Sequence, residues 1–164
     1  MITIDHLSAP LDRDVLHVVL VEPEIPPNTG NVARLCACTG CQLHLIHPLG
    51  FTINDRTLRR AGLDYWQYLK VSEYADWPAF RQRVPASARM YGFTTRGVRT
   101  LWQCSFRVGD VLVFGPETRG LPPSIRAQVT GVSIPMRKDA PVRSLNLASA
   151  CAVAVYEALR QGAN

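Results

Sequence analysis

Three segments concentrate side chains able to bind or shift charge where an apolar run breaks off. In Pro26-Pro27-Asn28-Thr29-Gly30-Asn31-Val32-Ala33-Arg34, Asn31 and Arg34 stand one helical turn apart. A helix beginning there offers free backbone N–H groups and a positive dipole end, a setting for an anion such as an RNA phosphate, with Arg34 beside it. Asn28 is the expected cap of that helix; the bland alternative is an ordinary Asn cap followed by a solvated Arg.

In Val111-Leu112-Val113-Phe114-Gly115-Pro116-Glu117-Thr118-Arg119-Gly120-Leu121-Pro122, an apolar strand runs into a loop whose two glycines allow close approach of a ligand. Glu117 and Arg119 are an ion-pair candidate in it. The Gly-Lys-Ser/Thr of a phosphate-cradling loop is missing, as is the Gly-x-Gly-x-x-Gly of a dinucleotide-binding turn. The alternative is a tight structural turn. In the third segment, Ile134-Pro135-Met136 precedes Arg143-Ser144-Leu145-Asn146-Leu147-Ala148-Ser149-Ala150. Ser144 and Asn146 can cap a final helix whose small residues admit a closely packed neighbour.

Weaker signals lie elsewhere. Arg56, Arg59 and Arg60 share one helical face by their spacing and suit a strip of phosphates, or equally a solvated charged face. Tyr65, Trp66 and Tyr68 suit stacking on unpaired bases, although aromatics interleaved with a strand are more often core or dimer contacts. The histidines His6, His17, His44 and His47 have no catalytic spacing and read as structural. Cys36 and Cys38 point about 200° apart on a helix, so with Cys41 they make no metal site, and none is expected.

The elements that position these segments alternate. Residues 15–21 read as a buried strand ending in a loop whose prolines exclude helix; residues 28–39 read as a helix stopped by Gly40, and 42–47 as a second strand. A helix over 55–63, a short strand over 65–71 and an amphipathic helix over 73–84 with Pro78 near its start follow. Residues 89–94, 110–114 and 131–135 are further strands, joined in part by a polar and aromatic connection, before a strong helix over 146–161. Such alternation predicts an α/β fold with a mostly parallel sheet flanked by helices. Residues 1–14 form an N-terminal arm, expected to be loose, ahead of a single domain over 15–164.

Composition sets the outer limits. The chain has 164 residues, 47% of them hydrophobic and 19% charged, enough for one core and too few for two full domains. Of 18 basic residues only Lys70 and Lys138 are lysine, so the net charge of +5 sits on guanidinium groups suited to bidentate phosphate contacts. Arg enrichment through base composition is the alternative. No stretch approaches the roughly 20 apolar residues of a membrane span, and the odd number of cysteines, five, fits reduced thiols in a cytoplasmic protein.

Taken together, the segments resemble the SPOUT methyltransferase superfamily, specifically its tRNA 2′-O-methyltransferase branch acting on the wobble cytidine or uridine. The resemblance runs from Val18 to about Gln161 and includes Glu22-Pro23-Glu24-Ile25-Pro26-Pro27-Asn28-Thr29-Gly30-Asn31, Leu58-Arg59-Arg60-Ala61-Gly62-Leu63-Asp64-Tyr65 and Phe114-Gly115-Pro116-Glu117-Thr118-Arg119-Gly120-Leu121-Pro122. It implies a C-terminal trefoil knot, a homodimer with shared sites, the cofactor S-adenosyl-L-methionine, and the anticodon stem-loop of tRNA, with leucine isoacceptors expected, as substrate. By the same resemblance Phe93, Thr94, Gly115, Glu117, Leu121, Ile134, Met136, Ser144 and Leu145 line or approach the cofactor pocket. Arg34 and Asn31 correspond to a catalytic pair, and Ser144 and Asn146 to supporting polar groups. Arg34, with Arg56, Arg59 and Arg60, is expected on the RNA.

Methyl transfer from a sulfonium is an in-line displacement that needs a positioned 2′-hydroxyl and an outlet for its proton. A guanidinium is a poor proton acceptor near neutrality, so Arg34 is expected to position the RNA and stabilise developing charge, with water or phosphate taking the proton. The alternatives are the same chemistry on another tRNA or rRNA ribose, and an RNA-binding protein without turnover.

Overall fold

A computed structural model of the chain describes residues 9–54 and 68–163. It contains seven strands: β1 His17–Val21, β2 Gln42–Ile46, β3 Val71–Tyr74, β4 Met90–Phe93, β5 Arg99–Thr100, β6 Val111–Phe114 and β7 Thr130–Ser133. They form one sheet in the order β3-β2-β1-β6-β4-β7-β5, with every recorded pairing parallel. β1, β4 and β6 are buried at every residue, as central strands covered on both faces must be.

The strand order creates the site. From β1 the chain moves outward through β2 and β3, yet β1's other neighbour is β6, so two crossovers diverge between adjacent strands. The register sets Leu20 opposite Phe114, Phe114 opposite Phe93, and Phe93 opposite Val132. The loops leaving β1, β4, β6 and β7 therefore open side by side at the carboxyl edge, where open α/β sheets bind ligands.

Among the described residues the α-helices are α1 Pro26–Thr39, α2 Trp77–Arg81, α3 Pro123–Arg126 and α4 Leu147–Arg160. α1 and α4 pack together, and with Val32, Cys36, Cys151 and Val155 they cover Val18, Leu20, Leu43 and Leu45 on one face. The opposite face, including Val19 and Val21, packs on Tyr74, Trp77 and Phe80. This alternation is the two-residue period of a strand made into two cores.

Three expectations are corrected. α1 begins at Pro26, with its cap position at Ile25 and no side-chain cap, so Asn28 lies inside the first turn and the preceding prolines open the helix. The first helical positions need no N–H, and the fixed proline φ already suits them. The amphipathic run 73–84 divides: Glu73 and Tyr74 belong to β3, and the helix is only α2, whose Ala79 amide donates to Asp76 Oδ1 at 2.8 Å. The connection between β4 and β6 contains the short edge strand β5. Gly40, at φ 75°, stops α1 as anticipated, and its N–H reaches the Cys36 carbonyl at 2.9 Å. The expected helix over 55–63, with Arg56, Arg59 and Arg60, and the rings of Tyr65 and Trp66, lie outside the described residues.

His17 and His44 are structural, in a directed chain of hydrogen bonds. Arg83 Nη1 donates to the Tyr74 hydroxyl at 3.0 Å, Tyr74 lies 3.0 Å from His44 Nδ1, His44 Nε2 lies 2.9 Å from His17 Nδ1, and His17 Nε2 lies 2.6 Å from the Asp12 carbonyl. A carbonyl can only accept, so His17 Nε2–H donates to Asp12; with both imidazoles neutral, as their burial favours, His44 Nε2–H donates to His17 Nδ1 and the Tyr74 hydroxyl donates to His44 Nδ1. Arg83 also donates to the Ala9 carbonyl at 2.7 Å and Leu11 is buried, so from Ala9 onward the arm is held against the domain.

Burial lowers the pKa of both imidazoles; for His44 the neighbouring His17 and Arg83 lower it further. A histidine depressed in the folded state contributes stability above its unfolded pKa of about 6.5 and loses it as pH falls below that value. The unfolding free energy measured by urea titration is therefore expected to drop between pH 7 and 5, by up to about 1.4 kcal/mol per pH unit for each proton taken up on unfolding. A His44→Phe variant should show lower stability at pH 7 and a shallower pH slope; an unchanged slope would contradict the assignment.

Candidate active site

The loop after β1 turns sharply at Glu22, whose φ is 47°, and delivers Pro23 to Ile25 toward the loop after β6. There two acidic residues form a clasp, each binding the other's loop. The Glu117 carboxylate accepts from the Glu24 N–H at 2.8 Å and the Ile25 N–H at 3.1 Å. The Glu24 carboxylate accepts from the Thr118 N–H at 3.0 Å and from the Thr118 hydroxyl at 2.8 and 2.9 Å. Those Thr118 bonds, and secondarily Arg119, hold the Glu24 pKa below the usual carboxylate value.

Arg119 closes the clasp, donating to Glu22 at 2.8 Å with Glu24 at 3.6 Å. The anticipated Glu117–Arg119 pair is thus replaced: each residue binds the β1 loop. Gly120, at φ 67°, turns the chain back so that Leu121 lies against Gly115. A Cβ on Gly115 would collide with the Leu121 amide and the Gly120 carbonyl carbon, so this loop closes only around a glycine.

Asn28 joins the clasp to the rest of the site. Its Nδ2 donates to Glu117 Oε1 at 3.2 Å, and its Oδ1 accepts from Asn146 Nδ2 at 2.9 Å. Asn146 in turn caps α4, its Oδ1 accepting from the Ala148 and Ser149 amides at 2.9 and 3.3 Å. One line of polar contacts runs from the β6 loop through the first turn of α1 to the start of α4. Sequence reasoning took Asn28 for a cap and left it out of the site. The available signal was that two prolines at helix positions one and two put Asn28 third, facing inward. Glu22, Glu24 and Thr118 were missed likewise.

Asn31 and Arg34 lie on the exposed side of α1, one turn apart, with Arg34 roughly 9 Å along the axis from Asn28. Around the edge, Phe93 stacks on Phe114 with centroids 4.7 Å apart, and the Thr94 N–H reaches the Val132 carbonyl at 2.9 Å. Leu121 is buried, while Ile134 and Met136 are half-buried on the chain leaving β7. Ser144 and Leu145 are exposed just before α4. Phe93, Thr94, Gly115, Glu117 and Leu121 thus gather on adjacent loops, and the α4 cap belongs to Asn146. Tyr68 is exposed; Arg56, Arg59 and Arg60 are not among the described residues.

Comparison with known proteins extends this geometry. The model of the SpoU rRNA Methylase family matches residues 15–156. A tRNA (cytidine(34)-2'-O)-methyltransferase of Burkholderia pseudomallei (strain 1106a) is 53% identical over 151 residues, covering 90% of this chain and 96% of that protein. A solved structure from work on the 2-OH methylation of C/U34 on tRNA superposes with a TM-score of 0.85 at 49% identity, covering 92% of this chain and 97% of that one. The SpoU methyltransferase AviRb from Streptomyces viridochromogenes, in complex with the cofactor AdoMet, superposes at 0.77 with 25% identity, covering 93% of this chain and 59% of that one.

Proposed function

Because the chain belongs to the SpoU rRNA Methylase family, we propose that it transfers a methyl group from S-adenosyl-L-methionine to the ribose 2′-hydroxyl of the wobble nucleotide of tRNA. The observation that carries this reading is the Glu117–Asn28–Asn146 line, which fixes α1, and so Arg34, relative to the loops after β6 and β7. The substrates we assign are leucine isoacceptors, read as cytidine or uridine, in the cytoplasm. Among the described residues no helix is long and apolar enough to cross a membrane.

The residues present fit the cofactor. Backbone amides and carbonyls at 115–121 and 134–136 suit an adenosine, and Leu121, Ile134, Met136 and Leu145 give it apolar walls, the usual make-up of a small-molecule site. Phe93, Thr94, Glu117 and Ser144 complete the assigned set; Glu117 acts by shaping the loop, since its carboxylate already accepts three donors. Bound there, adenosylmethionine supplies a sulfonium-activated methyl group. Arg34 grips a phosphate flanking the target ribose and stabilises the developing alkoxide, with Asn31 beside it. Water or phosphate accepts the proton, because a guanidinium stays protonated at neutral pH. Asn146 positions rather than reacts, and Arg56, Arg59 and Arg60 extend the phosphate contacts.

We assign residues 15–164 to one methyltransferase domain with the C-terminal trefoil knot its family implies. The exposed Val153 and Tyr156, one turn apart on α4, give a second copy an apolar strip on which to dimerise. Gly115→Ala is expected to force the 115–121 loop open and weaken adenosylmethionine binding at least about tenfold by calorimetry, through loss of a preformed pocket. Unchanged affinity would remove that loop from the pocket.

The reading is tested by incubating the protein with labelled adenosylmethionine and total tRNA, then mapping 2′-O-methyl nucleotides by mass spectrometry. Label at the wobble ribose is the expected result. Label at another ribose would keep the chemistry and discard the substrate; absence of both transfer and cofactor binding would overturn the enzyme reading.

A further inference from the structure

The β4–β6 connection leaves the site region and forms the outermost strand of the sheet. β5 pairs with β7 on one side, Arg99 against Val132 and Thr100 against Ser133, and ends the strand order on the other. Parallel register carries the residues after Thr100 past the carboxyl ends of β7 and β4, onto the side where Thr94 and Ile134 leave their strands.

Two large apolar side chains are left in solvent there: Val98 is 86% exposed and Trp102 is 63% exposed. They alternate with the exposed Arg96 and Arg99, and every charged residue from Thr94 to Val108 is an arginine. Among the described residues neither Arg96 nor Arg99 is in an ion pair.

The segment is held rigidly. Gly97 lies so close to β7 that a Cβ there would collide with the Val132 carbonyl carbon and the Ser133 amide. Thr100 and Gln103 form a capping box around a 3-10 turn, the Thr100 N–H donating to Gln103 Oε1 at 2.9 Å, and Leu101 is fully buried beneath it. Trp102 is therefore an exposed indole carried on an ordered turn, flanked by cations, beside the candidate site.

We propose that residues 96–103 form an RNA-docking edge, with Trp102 stacking on an unpaired base near the methylated nucleotide and Arg96 and Arg99 holding its backbone phosphates. Unpaired bases stacked on aromatic rings within a positive groove are how single-stranded RNA is usually held, and a backbone turn already ordered leaves only the side chain of Trp102 to be fixed on stacking. The occupant is RNA rather than an apolar protein surface because both cations have no acidic neighbour in the segment. The proposal rests on the reading of the chain as a tRNA methyltransferase and adds the surface that grips the loop.

The test uses the full chain with an anticodon stem-loop RNA, measuring binding by anisotropy, methyl transfer kinetics, and adenosylmethionine affinity. Trp102→Ala is expected to weaken RNA binding about tenfold and raise KM similarly, with kcat and cofactor affinity unchanged; Trp102→Phe should recover most of the loss. Arg96→Ala and Arg99→Ala should each reduce the salt dependence of binding by about one unit of slope. Equal RNA affinity in all variants, with wild-type transfer intact, would overturn the docking edge and leave the enzyme reading standing. A wild type that neither binds nor methylates the RNA would overturn both. A change in oligomeric mass with Trp102→Ala, without altered RNA binding, would identify the patch as a protein contact and also overturn the proposal.

Discussion

Arg34→Lys is expected to lower turnover about a hundredfold or more while adenosylmethionine affinity stays within about twofold, the scale seen when one donor to a developing oxyanion is removed. The charge is conserved, so what is lost is geometry. A guanidinium presents a planar fork able to bridge a phosphate and the reacting oxygen, whereas an ammonium is a compact point charge on a flexible stem. Arg34 is exposed on α1, away from the buried residues Val32, Ala33 and Cys36, so the fold should tolerate the change. Single-turnover methylation of tRNA, with calorimetry for the cofactor, separates chemistry from binding. Near-normal transfer would sink the role assigned to Arg34.

The strands around that helix were legible because parallel strands buried on both faces read as short apolar runs: 18–21 and 111–114 are unbroken, and 43–46 is interrupted only by His44. The final helix was equally plain, since Asn146 is a strong cap and Cys151, Ala154, Val155 and Ala158 fall on one stripe that the structure buries. β5 was not legible, as two residues carry no period. The start of α1 was misread for a different reason. Proline breaks a helix interior yet favours its first turn, and Pro26-Pro27 fits both rules until the fold selects one.

That ambiguity hid the site's organisation. With Asn28 taken as a cap, its side chain was assigned to its own helix, when it actually spans two loops more than eighty residues further along the chain. Glu117 and Arg119 were paired because they are neighbours in sequence, but partners for both come from 22–28. Contacts across adjacent parallel strands depend on strand order, and strand order is not written in any local pattern. The family resemblance supplied which segments matter; the sheet supplied how they meet.

The second large effect is expected from Asn28→Asp, which changes one atom type at the centre of this network. The oxygen facing Asn146 still accepts its 2.9 Å bond, but the donor 3.2 Å from Glu117 Oε1 becomes a second acceptor. Asn28 is buried, so two carboxylates would face each other with little water between them. The cost should be on the order of 2–3 kcal/mol of stability at pH 8. Turnover should fall about a hundredfold as α1 and Arg34 shift against the cofactor loops. The sign of the pH dependence distinguishes this cause from simple loss of packing. Repulsion raises the pKa of the carboxyl pair above its unfolded value, so the variant's deficit relative to wild type should shrink as pH falls and one carboxyl gains a proton, regaining the donor. Glu117→Gln placed in the same variant should recover part of the loss, because its amide can donate to the new carboxylate, although it no longer accepts from both the Glu24 and Ile25 amides. Denaturant midpoints for the two single variants and the double, taken at pH 8 and pH 6 beside wild type, measure that coupling. A deficit independent of pH and strictly additive with Glu117→Gln would mean that Asn28 fills space without linking the loops.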